Sequence, residues 1–164
     1  MNAQDWINEL HLSPHPEGGF YRETYRSIAS LPGNSLEEFP QKRNIGTAIY
    51  FLLPAGKISA FHKIKSDEIW FYHAGDPLQL TIIDERQGLI DQLLGIDLKK
   101  GQSPQLLIPA GKWFGASVKA EEGFTLVSCT VTPGFDFEDF EIGERATLLH
   151  QYPQHKDAIV RLTH

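Results

Sequence analysis

The pattern of apolar positions changes once along the chain, from a helical period near the N-terminus to strand-like alternation beyond it. Asp5–Leu10 spaces its apolar residues by about one helical turn, which predicts a short amphipathic helix. Ser13–Pro16 ends this helix, because proline lacks the backbone donor that a continuing helix needs. The segments that follow predict strands at Phe20–Tyr25, Thr47–Leu53, Ile58–Ile64, Glu68–His73, Leu78–Asp84, Leu89–Gly95, Gln105–Ile108, Trp113–Val118 and Phe124–Thr132.

Glycine, proline and aspartate separate these short strands at regular intervals, which indicates an all-β sandwich or barrel rather than alternating strands and helices. Two segments depart from the strand pattern. Ile28–Asn44 is a polar loop and a candidate flap, and the acidic, aromatic segment Phe135–Phe140 leads to a short C-terminal helix. We find no internal repeat and no second core, so we expect one domain over residues 1–164.

Composition narrows the classes of function. The chain has 41% hydrophobic and 22% charged residues, a net charge of −6 and a pI near 5.6, which disfavours nucleic acid and anionic membrane surfaces as partners. No apolar run is long enough to span a bilayer, and Met1–His11 does not resemble a signal peptide. The single cysteine, Cys129, cannot form an internal disulfide, so we expect a cytoplasmic protein in which this thiol packs in the interior.

Strand periodicity gives the first candidate site. His62 and Ile64 share one face of their strand, and Glu68, Trp70 and Tyr72 share one face of the next. A histidine and a glutamate that point into a barrel cost free energy unless each finds a partner. Two interpretations stay open at this point: His62 and Glu68 form a structural hydrogen-bonded pair, or they hold a ligand or take part in catalysis.

The spacing around these two residues resembles the first motif of the cupin superfamily. The residues that match its glycine, histidine, glutamate and glycine positions are Gly56, His62, Glu68 and Gly75. Pro109–Gly111 is similar to the Pro-x-Gly of the second cupin motif, in the expected order. The resemblance implies a double-stranded β-helix, the cupin jelly-roll barrel, with a short helix at each end.

Cupins that bind iron, manganese or zinc use three histidines and the glutamate. Here Ile64 and Phe114 occupy two of the histidine positions, and neither side chain can ligate a cation. We therefore expect no metal and no cofactor, with a metal-dependent cupin of reduced ligand set as the least favoured alternative.

Three longer segments resemble the uncharacterised group called cupin family five: His15–Arg26, Leu107–Ala116 and Cys129–Phe140. Together the resemblance covers nearly the whole chain. It implies a homodimer with a ligand pocket and no settled activity.

The chain is more distantly similar to the metal-free dTDP-4-dehydrorhamnose 3,5-epimerases. The positions that fit their opening motif are Glu17, Gly19, Phe20 and Glu23, and His62 fits their catalytic base. Gly18 replaces the epimerase arginine that holds phosphate, and Phe135 stands near the position of the acid tyrosine. Tyr50 or Tyr72 is a candidate replacement for that acid.

These observations give a set of candidate residues. We expect His62 and Glu68 to be catalytic, and the ligand-binding candidates are Glu17, Arg22, Tyr50, Trp70, Tyr72 and Phe114. Glu17 and Arg22 are expected near the pocket mouth. Asp136–Asp139 is either a solvated loop or the source of a carboxylate that orients His62.

Two functions fit this set about equally. One is a metal-independent isomerase or epimerase of a sugar-like or small carbonyl metabolite, with His62 as base and Glu68 or a nearby acid orienting it. The other is a non-enzymatic module whose aromatic pocket binds a small molecule.

Overall fold

The computed structural model describes residues 1–164 and contains three α-helices and fourteen strands. The helices are α1 (Ala3–Glu9), α2 (Arg145–Gln151) and α3 (Lys156–Arg161). The longer strands are β2 (Phe20–Arg26), β5 (Thr47–Pro54), β6 (Ile58–Lys63), β7 (Asp67–Gly75), β8 (Leu78–Asp84), β9 (Gly88–Leu94), β11 (Gln105–Ile108), β12 (Trp113–Val118) and β13 (Phe124–Thr132). The two-residue strands are β1 (Ser13–Pro14), β3 (Ser30–Leu31), β4 (Arg43–Asn44), β10 (Gln102–Ser103) and β14 (Glu141–Ile142). Short 3₁₀ helices cover Leu98–Lys100, Phe137–Asp139 and Pro153–His155.

The strands form two six-stranded sheets, in the orders β1-β2-β5-β13-β7-β11 and β10-β9-β8-β12-β6-β14. Every pair in them is antiparallel except β9 with β10. This arrangement confirms the predicted cupin jelly roll, and all nine predicted strands are present to within two residues at each end. The two-residue strands escaped prediction because so short a segment carries no periodicity.

The inner faces of the two sheets meet in a core of fourteen buried residues. Leu53, Leu78, Leu94 and Val118 lie at the strand ends that fill one end of this interior. The opposite end, where β5 and β7 begin and β6 and β13 finish, holds the polar inward residues. The interior is therefore divided into a packed end and an open end.

Each sheet is covered on its outer face by helix. α1 packs with Leu52, Phe124 and Leu126 of the first sheet, whereas α2 and α3 pack with Phe61 and Trp113 of the second. None of the helices is long and apolar enough to cross a membrane.

The C-terminal helices should contribute directly to stability, because Ile159 is fully buried against the second sheet and the adjacent Val160 is 43% exposed. We expect Ile159→Ala to lower the free energy of unfolding by about 2–5 kcal/mol, since it removes buried methyl groups and leaves a cavity. Val160→Ala is the matched control and should change it by less than about 0.5 kcal/mol. Urea denaturation followed by circular dichroism measures both, and equal losses would show that α3 is not docked.

Candidate functional site

The open end of the interior contains a cavity of about 430 Å³, a volume typical of small-molecule sites. Its walls are aromatic: Tyr21, Phe51, Trp70, Phe135, Phe137 and Phe140. Its ionisable groups are concentrated in His15, Glu17, His62 and Glu68, together with a charged rim. Polar groups in so apolar a setting interact strongly, because the local dielectric constant is low.

A tight turn brings Glu17 to the cavity. The backbone N–H of Gly18 donates to the carbonyl oxygen of His15, and the N–H of Ala60 on β6 donates to the carbonyl oxygen of Glu17 at 2.8 Å. Gly18 has φ +113°, and a Cβ atom there would lie 2.1 Å from the carbonyl oxygen of Ile58. Only glycine fits this close approach to β6.

Glu17 and His62 form a buried ion pair. Their carboxylate Oε2 and imidazole Nε2 are 3.0 Å apart, and the side chains are 7% and 3% exposed. The second carboxylate oxygen accepts from the Ser59 hydroxyl at 2.7 Å, and Nδ1 of His62 lies 2.7 Å from the carbonyl oxygen of Ala60. Since a carbonyl oxygen and a carboxylate are both acceptors, both ring nitrogens of His62 carry protons.

The pKa shifts of the pair agree with this protonation. Burial alone would raise the pKa of Glu17, but the charge and hydrogen bond of His62 outweigh it and the pKa falls. Burial likewise opposes the charge on His62, and the Glu17 carboxylate outweighs it and raises the pKa of His62. Each charge is therefore held in the interior by the other.

Glu68 is in a different state. Its side chain makes no hydrogen bond of good geometry, although the residue is only 7% exposed. Burial raises the pKa of Glu68 to about 7; the His62 charge opposes this shift and the Glu17 charge adds to it. The Trp70 indole and the Cys129 thiol beside it lower the pKa by a smaller amount, but Nε1 of Trp70 is buried without a well-formed hydrogen bond. Glu68 is thus a cavity carboxyl that gains and loses a proton near neutral pH.

His15 completes the ionisable cluster. Its Nδ1 accepts the backbone N–H of Glu17 at 3.3 Å, and the same nitrogen lies 3.4 Å from the Glu17 carboxylate without a hydrogen bond to it. Burial lowers the pKa of His15; Glu17 opposes this shift and His62 reinforces it. The ring of Tyr21 meets the His15 ring edge-on at 4.5 Å.

The structure brings some of the sequence-predicted residues together and separates others. Glu17, His62, Glu68, Trp70 and Arg22 all line the cavity. Their pairing differs from the expected one, because His62 bonds to Glu17 rather than to Glu68.

The remaining predicted residues lie outside the cavity lining. Phe114 is buried behind His62, with ring centres 4.0 Å apart. Tyr50 is on the outer face of the first sheet, where the guanidinium of Arg22 lies 5.9 Å from its ring centre. Tyr72 packs beside the core and donates its hydroxyl to the carbonyl oxygen of Gly75. The tyrosine at the cavity is Tyr21.

Two arginines fix the rim of the cavity. Arg26 donates to both carboxylate oxygens of Glu23 and to the carbonyl oxygen of Phe135. Arg43, in the segment predicted as a flap, is buried and donates two hydrogen bonds to Asp139, at 2.8 and 2.9 Å. The acidic run 136–139 therefore anchors this segment, and His62 is oriented by Glu17 instead.

Sequence reasoning gave no role to His15, Tyr21 or the three rim phenylalanines, Phe135, Phe137 and Phe140. Their signal was present in the segments that resemble cupin family five, since every one of them lies in His15–Arg26 or Cys129–Phe140. In the structure Tyr21 on β2 lies opposite the cavity residue Phe51 on β5.

The residues at the usual cupin metal position do not fit that metal site. Ile64 and Phe114 replace two of its histidines, and Nε2 of His62 is already bonded to Glu17. No group of three or more histidine, cysteine, aspartate or glutamate side chains has a metal-binding arrangement.

Comparison with known proteins gives a match to a cupin family and one similar curated protein. The family described as Cupin superfamily (DUF985) matches residues 4–143. The uncharacterized protein YML079W of Saccharomyces cerevisiae is 33% identical over 148 residues, which cover 84% of this chain and 73% of that protein.

Solved structures extend the likeness to the whole chain. Protein SO0799 from Shewanella oneidensis is 42% identical, with a TM-score of 0.90 over 100% of this chain and 98% of its own. A hypothetical protein from Leishmania major is 39% identical, with a TM-score of 0.91 over 100% and 99%. Oxalate decarboxylase from Bacillus subtilis, at 18% identity and a TM-score of 0.56 over 91% of this chain and 36% of its own, shares the fold.

The ion pair predicts a measurable titration. We expect Glu17→Gln to lower the pKa of His62, because the charge that raises it is gone while burial remains. NMR of the His62 Hε1 resonance across pH measures this pKa. Glu23→Gln is the control, because Glu23 pairs with Arg26 at the rim, and an unchanged His62 pKa in Glu17→Gln would contradict the pair.

Glu68 predicts a pH dependence of stability. Its pKa of about 7 in the folded state lies above the ordinary glutamate value of 4.5, so the folded state binds more protons between these values and stability falls as pH rises through this window. Glu68→Gln should remove the fall, so its free energy of unfolding should rise relative to wild type by on the order of 3 kcal/mol between pH 4 and pH 8. Urea denaturation at each pH tests this, with the surface variant Glu141→Gln as control. A constant difference across pH would contradict a raised Glu68 pKa.

Proposed function

Because the chain belongs to the Cupin superfamily (DUF985), we propose that its cavity binds a small molecule and that the protein is a metal-independent isomerase or epimerase of a sugar-like or small carbonyl metabolite. One observation carries the proposal: Glu68 is a buried carboxyl with no hydrogen bond of good geometry, in a cavity large enough for such a ligand. A buried carboxyl without a strong hydrogen-bond partner is costly to ionise, and such groups cluster at functional sites.

Glu68 is the best candidate for proton transfer. A catalytic acid or base works best when its pKa is close to the working pH, and burial raises the pKa of Glu68 to about 7. Removal of a proton next to a carbonyl group, followed by protonation of the enolate, is the step of sugar epimerases and isomerases that work through an enolate. The reaction needs no redox partner, because one proton leaves the substrate and one proton is returned to it, with no net gain or loss of electrons.

His62 has a supporting role in this proposal. Both of its nitrogens carry protons and are bonded to Glu17 and Ala60, so it has no lone pair with which to accept a proton. We therefore assign the base to Glu68 rather than to His62. The imidazolium of His62 stabilises the ionised form of Glu68, which is the form that removes a proton.

The aromatic walls supply the second half of the function. Phe51, Trp70 and the rim phenylalanines exclude water from the reacting groups and offer flat surfaces to a ligand. The same walls favour the second candidate, a module that binds a small molecule without changing it. The homodimer and the cytoplasmic address stay predictions.

Exchange of carbon-bound hydrogen with solvent separates the two candidates. We expect wild-type protein in D₂O to replace the hydrogens next to the carbonyl group of hydroxyacetone, dihydroxyacetone or fructose with deuterium, followed by proton NMR. Glu68→Gln should slow this exchange by at least about 100-fold, because it removes the base.

Glu141→Gln, at the surface on β14, is the matched control and should exchange at the wild-type rate. Exchange that survives in Glu68→Gln would exclude Glu68 as the base. Binding of these compounds without any exchange in wild type would favour the binding module.

A further inference from the structure

His15 is the cavity histidine that keeps a ring nitrogen free. Its Nδ1 accepts the backbone N–H of Glu17, whereas Nε2 makes no hydrogen bond and is not fully buried. An imidazole nitrogen that accepts from an amide carries no proton, so the proton of the neutral ring is on Nε2. His15 therefore presents an unused N–H donor at the cavity, the reverse of His62.

Aromatic neighbours hold the His15 ring in place. Its centre lies 4.5 Å from that of Tyr21, 5.8 Å from that of Phe140 and 6.2 Å from that of Phe137, which stacks on it. Burial among these rings lowers the pKa of His15, which keeps the imidazole neutral near pH 7. A neutral imidazole in a fixed orientation is a suitable donor to a carbonyl oxygen.

Two of the cationic groups at the cavity are paired, because Arg26 binds Glu23 and His62 binds Glu17. Arg22 makes no ion pair, and its guanidinium lies 5.9 Å from the ring centre of Tyr50, on the outer face of the first sheet. The lining contains no lysine. Within the cavity an anionic ligand would meet the carboxylates of Glu17 and Glu68, so the cavity favours an uncharged ligand.

We propose that the substrate is an uncharged hydroxy ketone or hydroxy aldehyde whose carbonyl oxygen accepts a hydrogen bond from Nε2–H of His15. This inference rests on the proposed function, in which Glu68 removes the proton from the neighbouring carbon. His15 and Glu68 line the same cavity, so one small molecule can meet both.

The chemical step balances without a further reactant. The Glu68 carboxylate forms an O–H bond as the substrate C–H bond breaks, and the released electron pair becomes the carbon–carbon double bond of an enolate. The carbonyl π electrons move to the oxygen, whose negative charge is stabilised by the His15 N–H. Delivery of a proton from water to the other face of that carbon inverts the centre, and Glu68 then releases its proton to water. Return of the proton from Glu68 to the former carbonyl carbon moves the carbonyl group, once the hydroxyl proton has passed to the former carbonyl oxygen.

The first test needs no ligand. Long-range ¹H–¹⁵N NMR of the protein at pH 7 should show His15 as a neutral ring protonated on Nε2 and His62 as a ring protonated on both nitrogens. A proton on Nδ1 of His15, or a doubly protonated His15, would overturn the assignment of the donor.

The second test uses hydroxyacetone labelled with ¹³C at the carbonyl carbon. Bound to wild type, this signal should move downfield, because a hydrogen bond polarises the carbonyl group. We expect His15→Phe to abolish the shift and to weaken binding about tenfold, the loss of one buried hydrogen bond, and His15→Gln to restore part of both. Hydroxypyruvate, which replaces the methyl group with a carboxylate, should bind wild type at least about tenfold more weakly than hydroxyacetone does.

Further variants distinguish the possible failures. A carbonyl shift that survives in His15→Phe, or that disappears in Tyr21→Phe, would overturn the His15 contact. Failure of hydroxyacetone to bind, or tighter binding of hydroxypyruvate, would overturn the uncharged substrate class. If wild type shows the shift but no deuterium exchange, the isomerase function falls and the His15 contact stands. Glu68→Gln should lose exchange and keep the shift.

Discussion

The buried ion pair of Glu17 and His62 is the interaction on which the site depends. It joins the turn before β2 to β6, two segments on different sheets, and it closes the interior where the core ends. Removal of one partner from such a pair leaves an uncompensated charge, which typically destabilises a protein by about 3–5 kcal/mol. The pair also sets the electric field at Glu68 and fixes the backbone N–H that His15 accepts. The same ion pair therefore stabilises this part of the fold and sets the electrostatics of the candidate catalytic groups.

The ionisable groups of the cavity differ in protonation because their neighbours differ. His62 is charged because it has a carboxylate partner, whereas Glu68 shifts toward neutrality because it lacks a strong one. His15 is neutral because aromatic rings surround it. The histidine and carboxyl groups within this small volume thus differ in protonation according to their neighbours, a difference that an aqueous surface would not maintain.

Much of the fold follows from local sequence, and much of the site does not. Alternation located the strands, and the spacing from Gly56 to Gly75 located His62 and Glu68. Alternation alone cannot tell which face of a strand is inward, and a change of one residue reverses it, which is why Tyr21 rather than Tyr50 reaches the cavity. The sequence around His62 could not identify its partner, because Glu17 is distant along the chain and contacts His62 only once the turn at residues 15–18 has folded against β6.

The Glu17–His62 pair also depends on Gly18, which is not part of it. A side chain at this position would collide with the carbonyl oxygen of Ile58 and push the turn away from β6. A substitution here would alter no ionisable group, yet it would separate Glu17 from His62 and change the charge of both. A substitution at a residue that carries no ionisable group would therefore disrupt the cavity as much as a substitution of Glu17 or His62 would.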